Sequence, residues 1–223
     1  MAENERILIT VAVLGGTGKE GSGLAVRWAL NGYRVIIGSR DAARAQQRVA
    51  ELNADLGGDY LIGMANAEAA AEANVVVLSV PYDAHAATLE SVREHLAGKV
   101  LVDITVPLVP PKIRQVHLPA GKAAALEARA LLGAEVRIVS AFQNVSAEKL
   151  KDPNGAVDCD VLVCGDDAEA KADVMRLVEA AGMRGIDAGP LENAIAVEAL
   201  TPVLLYINKQ YKVKGAGIRI TGV

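Results

Sequence analysis

Short apolar runs alternate with longer stretches of helical spacing along the first two thirds of this 223-residue chain. Residues 7–14, 33–38, 60–64, 74–80, 100–104 and 135–141 are rich in Val, Ile and Leu. Such runs predict parallel strands, and the near-continuous ones are buried on both faces. Between them, residues 21–31, 42–53, 66–73, 83–95 and 120–132 repeat apolar positions at helical spacing. Alternation of this kind predicts βαβ units around a parallel sheet. Residues 74–80 form an unbroken β-branched stretch and read as a central strand, stopped by Pro81, which cannot donate to a sheet ladder. Residues 107–119 carry four prolines and no periodicity. They predict a long loop at the C-terminal end of a strand, the edge where open α/β sheets bind ligands.

After residue 147 the pattern changes. Strands are expected at 157–164 and 185–188, helices at 167–181 and 192–209 (with a kink at Pro202), and a last short strand after Gly215-Ala216-Gly217. The fold class is therefore α/β. It is a Rossmann-like, doubly wound, mostly parallel sheet over residues 1–147, followed by a small C-terminal α/β domain over 148–223.

The first strand runs into Gly15-Gly16-Thr17-Gly18-Lys19-Glu20-Gly21. Gly16, Gly18 and Gly21 fit the G-x-G-x-x-G dinucleotide fingerprint, in the strand–turn–helix context that gives the pattern its meaning. Gly16 allows the tight turn, Gly18 the close approach of a pyrophosphate, and Gly21 the packing of helix on strand. Thr17, Lys19 and Glu20 complete the turn, and the helix N-terminus offers N–H groups to phosphate.

The second strand ends in Ser39-Arg40-Asp41, with Arg44 one helical turn further on. These residues stand about 20 positions past the glycines, where the adenosine ribose is read. An acidic residue there selects NAD, whereas Arg and small hydroxyls accept a 2′-phosphate. Arg40 and Arg44 match phosphate geometry and point to NADP. Asp41 is read as the cap of the next helix. The plain alternative for both arginines is a solvated surface.

Composition changes the picture mainly by exclusion. Apolar residues make up 52% and aromatics 3%, which suits a core of closely packed small side chains. The net charge of −4 argues against a nucleic-acid partner. No apolar stretch is long enough to span a bilayer, and residues 1–6 are polar without a signal-peptide pattern. A cytoplasmic protein with no membrane partner is expected. Cys159 and Cys164 would be roughly 16 Å apart in one extended run, too far for a disulfide, and no metal site is expected. The three histidines, His85, His95 and His117, are scattered. No Tyr-x-x-x-Lys pair occurs, since Tyr206 and Lys209 stand three apart, and no Ser/His/Asp grouping has recognisable spacing. The absence of an acid–base group favours transfer between two cofactors over carbonyl reduction.

The Gly-Gly-Thr-Gly turn, Gly38-Ser39-Arg40, Ser79-Val80-Pro81, Cys164-Gly165-Asp166-Asp167, Asp187-Ala188-Gly189-Pro190-Leu191 and Leu200-Thr201-Pro202 follow one another in this order. In this the chain resembles the F420-dependent NADP reductases from about residue 11 to 220. The resemblance implies a usually dimeric Rossmann fold that passes a hydride directly between the deazaflavin of coenzyme F420 and the nicotinamide of NADP. It places Thr17, Ser39, Arg40 and Arg44 at the adenosine ribose and 2′-phosphate, Ser79, Val80 and Pro81 beside the cofactor, and Ala147 near the nicotinamide. It places Gln143, Asn144, Val145, Thr201 and Ala216 at the deazaflavin. Three positions depart from the pattern. Gln143 stands where histidine is expected, Ile195 where arginine is, and Ala199 where serine is.

A cleft lined by Val80, Pro81, residues 107–111, residues 142–146 and the end of the last helix is expected, apolar enough for a stacked ring. The second ring is read as F420 or a related deazaflavin or flavin. Two alternatives remain at this point: an NADP-dependent reductase of a small imine, ketone or acid, and a non-catalytic NADP(H) redox sensor. A homodimer is expected, with the Ala-rich helix at 120–132 as one candidate surface.

Overall fold

The computed structural model describes residues 9–223, so residues 7 and 8 of the first expected strand lie outside it. Strand β1 (Thr10–Leu14) leads into helix α1 (Lys19–Leu30), then β2 (Arg34–Ser39), α2 (Ala42–Leu56), β3 (Leu61–Ala65), α3 (Asn66–Glu72) and β4 (Val75–Leu78). Helix α4 (Tyr82–Val92), β5 (Val100–Asp103), α5 (Ala124–Leu132) and β6 (Arg137–Ser140) follow. The chain ends with β7 (Asp160–Gly165), α6 (Ala168–Ala180), β8 (Arg184–Asp187) and α7 (Ala194–Gln210).

All eight strands form one sheet in the order β3-β2-β1-β4-β5-β6-β7-β8. The first six are parallel, with Val11 opposite Val35 on one side and Val75 on the other. Strand β7 pairs antiparallel with β6, and β8 parallel with β7. The sheet therefore continues across residue 147.

The pleat of β1 sorts its side chains between two cores. Val11 and Val13 join Leu24, Trp28, Val35 and Ile37 on one face. Ala12 and Leu14 join Ile36, Val76, Leu78 and Leu101 on the other. Strands buried on both faces account for the unbroken apolar runs.

Local chemistry sets the element ends. Asp41 caps α2 as expected, its side chain accepting from Ala43 N at 3.0 Å, and Gly57 closes that helix at φ 73°. Asp167 caps α6 through Ala170 N at 2.7 Å. Helix α5 starts later than expected, at Ala124, because residues 119–122 form a turn with Lys122 at φ 71°. Helix α7 runs through Pro202 without a break.

The expected last strand is absent among the described residues. Asp160 N donates to Ile218 O at 2.7 Å, but Ile220 N turns to the Asp160 side chain instead of a neighbouring carbonyl, so no ladder forms. Both cysteines are buried free thiols. No described helix is long and apolar enough to cross a membrane.

Candidate active site

The glycine turn is built by close contact. Gly16 N donates to Val13 O and to Gly38 O, holding the turn against β1 and β2. A Cβ on Gly16 would lie 2.7 Å from Val13 O, and one on Gly21 would lie 2.9 Å from both Gly16 Cα and Ser79 Oγ. At Gly18 the nearest atom, Gly15 O, would be 3.7 Å away, an ordinary contact, so this glycine is not held by close packing. Gly16 and Gly21 thus serve packing, while Gly18 leaves room for a ligand to approach the backbone. Gly18 is also the N-cap of α1 and provides no side-chain cap, which leaves the first-turn N–H groups available to an anion.

Ser39 is buried at the end of β2, and its Oγ accepts from Asp41 N at 3.3 Å. Arg40 and Arg44 are exposed, and neither forms an ion pair among the described residues. Neither they nor Gly16, Thr17 and Gly21 line the main cavity.

That cavity measures about 880 Å³ and opens at the C-terminal edge of the sheet. It runs from Gly18, Lys19 and Glu20 past Ser79, Val80 and Pro81 to Gln143, Asn144, Val145 and Ala147. Thr201 on α7 and Ala216 in the C-terminal tail close it. The expected cleft is therefore present, with residues 108–110 of the long loop in its wall and Pro107 and Pro111 outside it. Phe142 does not line it. Phe142 is 1% exposed and packs edge-on against Trp28 at 5.8 Å, an aromatic contact that draws it into the core at φ 72°.

Several lining residues had not been singled out in the sequence. Leu204, Leu205 and Asn208 join Thr201 on one face of α7, at helical spacing that gave a usable signal. Tyr82, Ile104, Thr105, Ile113 and Lys214 gave none. Ile195 and Ala199 lie outside the cavity wall, and Ile195 packs against the core beside Leu191 and Ala194.

A stitched polar layer supports the chamber. Thr201 Oγ1 donates to Gln143 O at 2.8 Å, and Asn144 Nδ2 donates to Val197 O at 2.9 Å. Gln143 Nε2 donates to Asp103 O and Ser140 Oγ, both at 2.8 Å. Behind it, His85 Nε2 meets Asp103 Oδ2 at 2.7 Å. Glu198 accepts from Ala124 N and Ala125 N at the start of α5, and burial together with nearby Asp103 pushes its carboxyl up to about 8. Tyr82 OH donates to Glu127 at 2.8 Å, and burial with that bond pushes its hydroxyl up to about 12. Glu20, half-buried beside the α1 N-terminus, is raised by burial to about 8. No cluster of three or more His, Cys, Asp or Glu among the described residues could hold a metal ion.

Residues 10–107 match the family model described as NADP oxidoreductase coenzyme F420-dependent. The F420-dependent NADP reductase of Methanothermobacter marburgensis is 46% identical over 221 residues, covering 96% of this chain and 98% of the relative. The chain belongs to the F420-dependent NADP reductase family. The enzyme of that name from Methanocaldococcus jannaschii is 42% identical over 222 residues, again covering 96% and 98%. Among solved structures, a hypothetical protein from Sinorhizobium meliloti superposes with TM-score 0.68 at 20% identity, covering 88% of this chain and 90% of its own. Plasmodium falciparum pyrroline carboxylate reductase does so with TM-score 0.59 at 17% identity, covering 91% and 67%. These two likenesses show the shared fold. The residues that match the family model of the F420-dependent NADP reductases include this chain's glycine turn and the first five strands of its sheet.

Proposed function

We propose that this protein is an oxidoreductase that transfers a hydride directly between NADP(H) and coenzyme F420. The observation that carries the reading is one continuous cavity, from the α1 N-terminus into a chamber walled by Val80, Pro81, Ile104, Val145, Leu204 and Leu205. Two cofactors supply the redox chemistry, and the chain has to bind them, align them and exclude water. Its residues fit that task. The loosely packed Gly18 and the uncapped N–H groups of the first turn of α1 suit a pyrophosphate, with Thr17, Lys19 and Glu20 around it. Ser39, Arg40 and Arg44 suit the 2′-phosphate. Ser79, Val80, Pro81 and Ala147 would flank the nicotinamide end. Gln143, Asn144, Val145, Thr201 and Ala216 would hold the second ring, with Gln143 replacing the histidine expected there.

Residues 1–147 form the NADP-binding part in this reading, and residues 148–223 complete the chamber. A cytoplasmic homodimer is part of the proposal. Exposed Val203, Tyr206, Tyr211 and Val213, with Val109, Val116 and Leu118 in the long loop, offer the apolar surface a dimer would cover.

Mixing the purified protein with NADPH and oxidised F420 tests the function. Loss of the deazaflavin absorbance, dependent on both protein and NADPH, is the expected result. An unchanged spectrum with NADPH bound would overturn the assignment of the second ring.

A further inference from the structure

Three residues that line the cavity each carry a buried side-chain atom with no hydrogen-bond partner among the described residues: Thr105 Oγ1, Gln143 Oε1 and Asn144 Oδ1. A buried polar group left unpaired costs stability, so three together at one site call for an account. The two amides are fixed by their surroundings. Gln143 Nε2 faces the Asp103 carbonyl at 2.8 Å, and Asn144 Nδ2 faces the Val197 carbonyl at 2.9 Å. Turning either amide over would set oxygen against oxygen, so the carbonyl is the free end in both.

Thr105 is held as firmly. Its N–H donates to Asp103 Oδ1 at 3.0 Å, the side-chain turn that acidic residues make with the second residue beyond them. Asp103 Oδ2 is taken by His85 Nε2 at 2.7 Å, and the carboxylate is 0% exposed. A carboxylate only accepts, so His85 donates through Nε2. His85 and Asp103 together fix the start of the segment that carries Thr105 into the cavity wall.

We propose that Thr105 is a ligand-contacting residue, and that its hydroxyl with the Gln143 and Asn144 carbonyls forms a fixed polar edge for a planar amide or imide. This inference rests on the hydride-transfer reading above. Two groups share the required chemistry: the carboxamide of a nicotinamide and the imide of a deazaflavin. The carboxamide offers two N–H donors to the two carbonyls and its C=O to the threonine hydroxyl, and the imide offers its one N–H to a carbonyl and a C=O to the hydroxyl. Asp103 and His85 act through Thr105 and are positioning residues.

The test uses the full chain carrying Thr105→Val, with Thr105→Ser as the conservative control. Melting temperature is measured, and NADPH and oxidised F420 are titrated separately. Thr105→Val keeps the shape and removes the unpaired hydroxyl, so the free protein should melt at a higher temperature. It should bind one of the two ligands about tenfold more weakly, because the ligand then loses its partner. Thr105→Ser should bind both within about twofold of the native chain. His85→Leu should weaken the same ligand, and His85→Gln, which can still donate to Asp103, should restore it. Unchanged affinity of Thr105→Val for both ligands would overturn the proposal, as would a lower melting temperature or failure to fold. If the native chain binds NADPH but not F420, the hydride-transfer reading fails while the nicotinamide titration still tests Thr105.

Discussion

Asp160 and Arg184 form a two-pronged ion pair, with Arg184 Nη2 at 2.6 Å from Asp160 Oδ2 and Nε at 2.9 Å from Oδ1. The same carboxylate accepts from Ile220 N at 2.7 Å, and Arg184 Nη2 donates to Ile220 O at 2.7 Å. Two strands thereby anchor the tail whose Lys214 and Ala216 wall the cavity. The Arg184 hydrogen bond, aided by the Ile220 N–H, holds the Asp160 carboxyl down to about 2, against an ordinary 3.8.

Asp160→Asn is therefore expected to lower unfolding stability by about 2 kcal/mol, the worth of a hydrogen bond to a charged group. Amide exchange at residues 216–220 should become faster. The sign with pH follows from the lowered value. The native chain has this contribution above about pH 4 and loses it as the pH falls toward about 2. Denaturant titrations across that range should show the acid loss in the native chain and a shallower one in the variant.

Arg40 is exposed and lacks an ion pair among the described residues, so its charge is available to a 2′-phosphate. Arg40→Ala should weaken NADPH by about 1.5–3 kcal/mol, the cost of one charged hydrogen bond, and leave NADH nearly unchanged. Titration of both nucleotides checks it. Equal weakening of the two would remove Arg40 from the phosphate site.

Glu20 sits beside the proposed pyrophosphate position with its carboxyl raised to about 8 by burial. Below that pH it is neutral and tolerates the phosphates. Above it, a carboxylate faces them, and like-charge repulsion of about 1 kcal/mol would weaken NADPH about fivefold. Glu20→Gln should flatten this dependence. Titrations between pH 6.5 and 9.5 separate the two cases, and parallel curves for native and variant chains would contradict the role.

The sequence made the first half of the site readable because its signals are local. Gly16, Gly18 and Gly21 lie in one turn, and Asp41 caps the helix it precedes. Apolar periodicity reports burial but not the partner, so it did not show that β7 would pair antiparallel with β6 and extend the same sheet. Phe142 looked like a pocket residue because cores and pockets use the same side chains, and its contact with Trp28 decides the matter. Arg27 was invisible for a related reason. Its buried guanidinium donates to Lys149 O, Asp152 O, Gly155 O and Ala181 O, bonds that join residues more than a hundred positions apart. Thr105 likewise acquires meaning only through Asp103 and His85, which a strand and a helix bring together.

The most direct measurement is the fate of a deuterium label on the reacting nicotinamide carbon of NADPH after reaction with oxidised F420 in ordinary water. Direct transfer predicts, for one of the two C4 stereoisomers, reduced deazaflavin that retains the label, with NADPH turnover slowed by the isotope. Reduced deazaflavin without label from both stereoisomers, or NADPH oxidation that leaves F420 unreduced, would contradict the account.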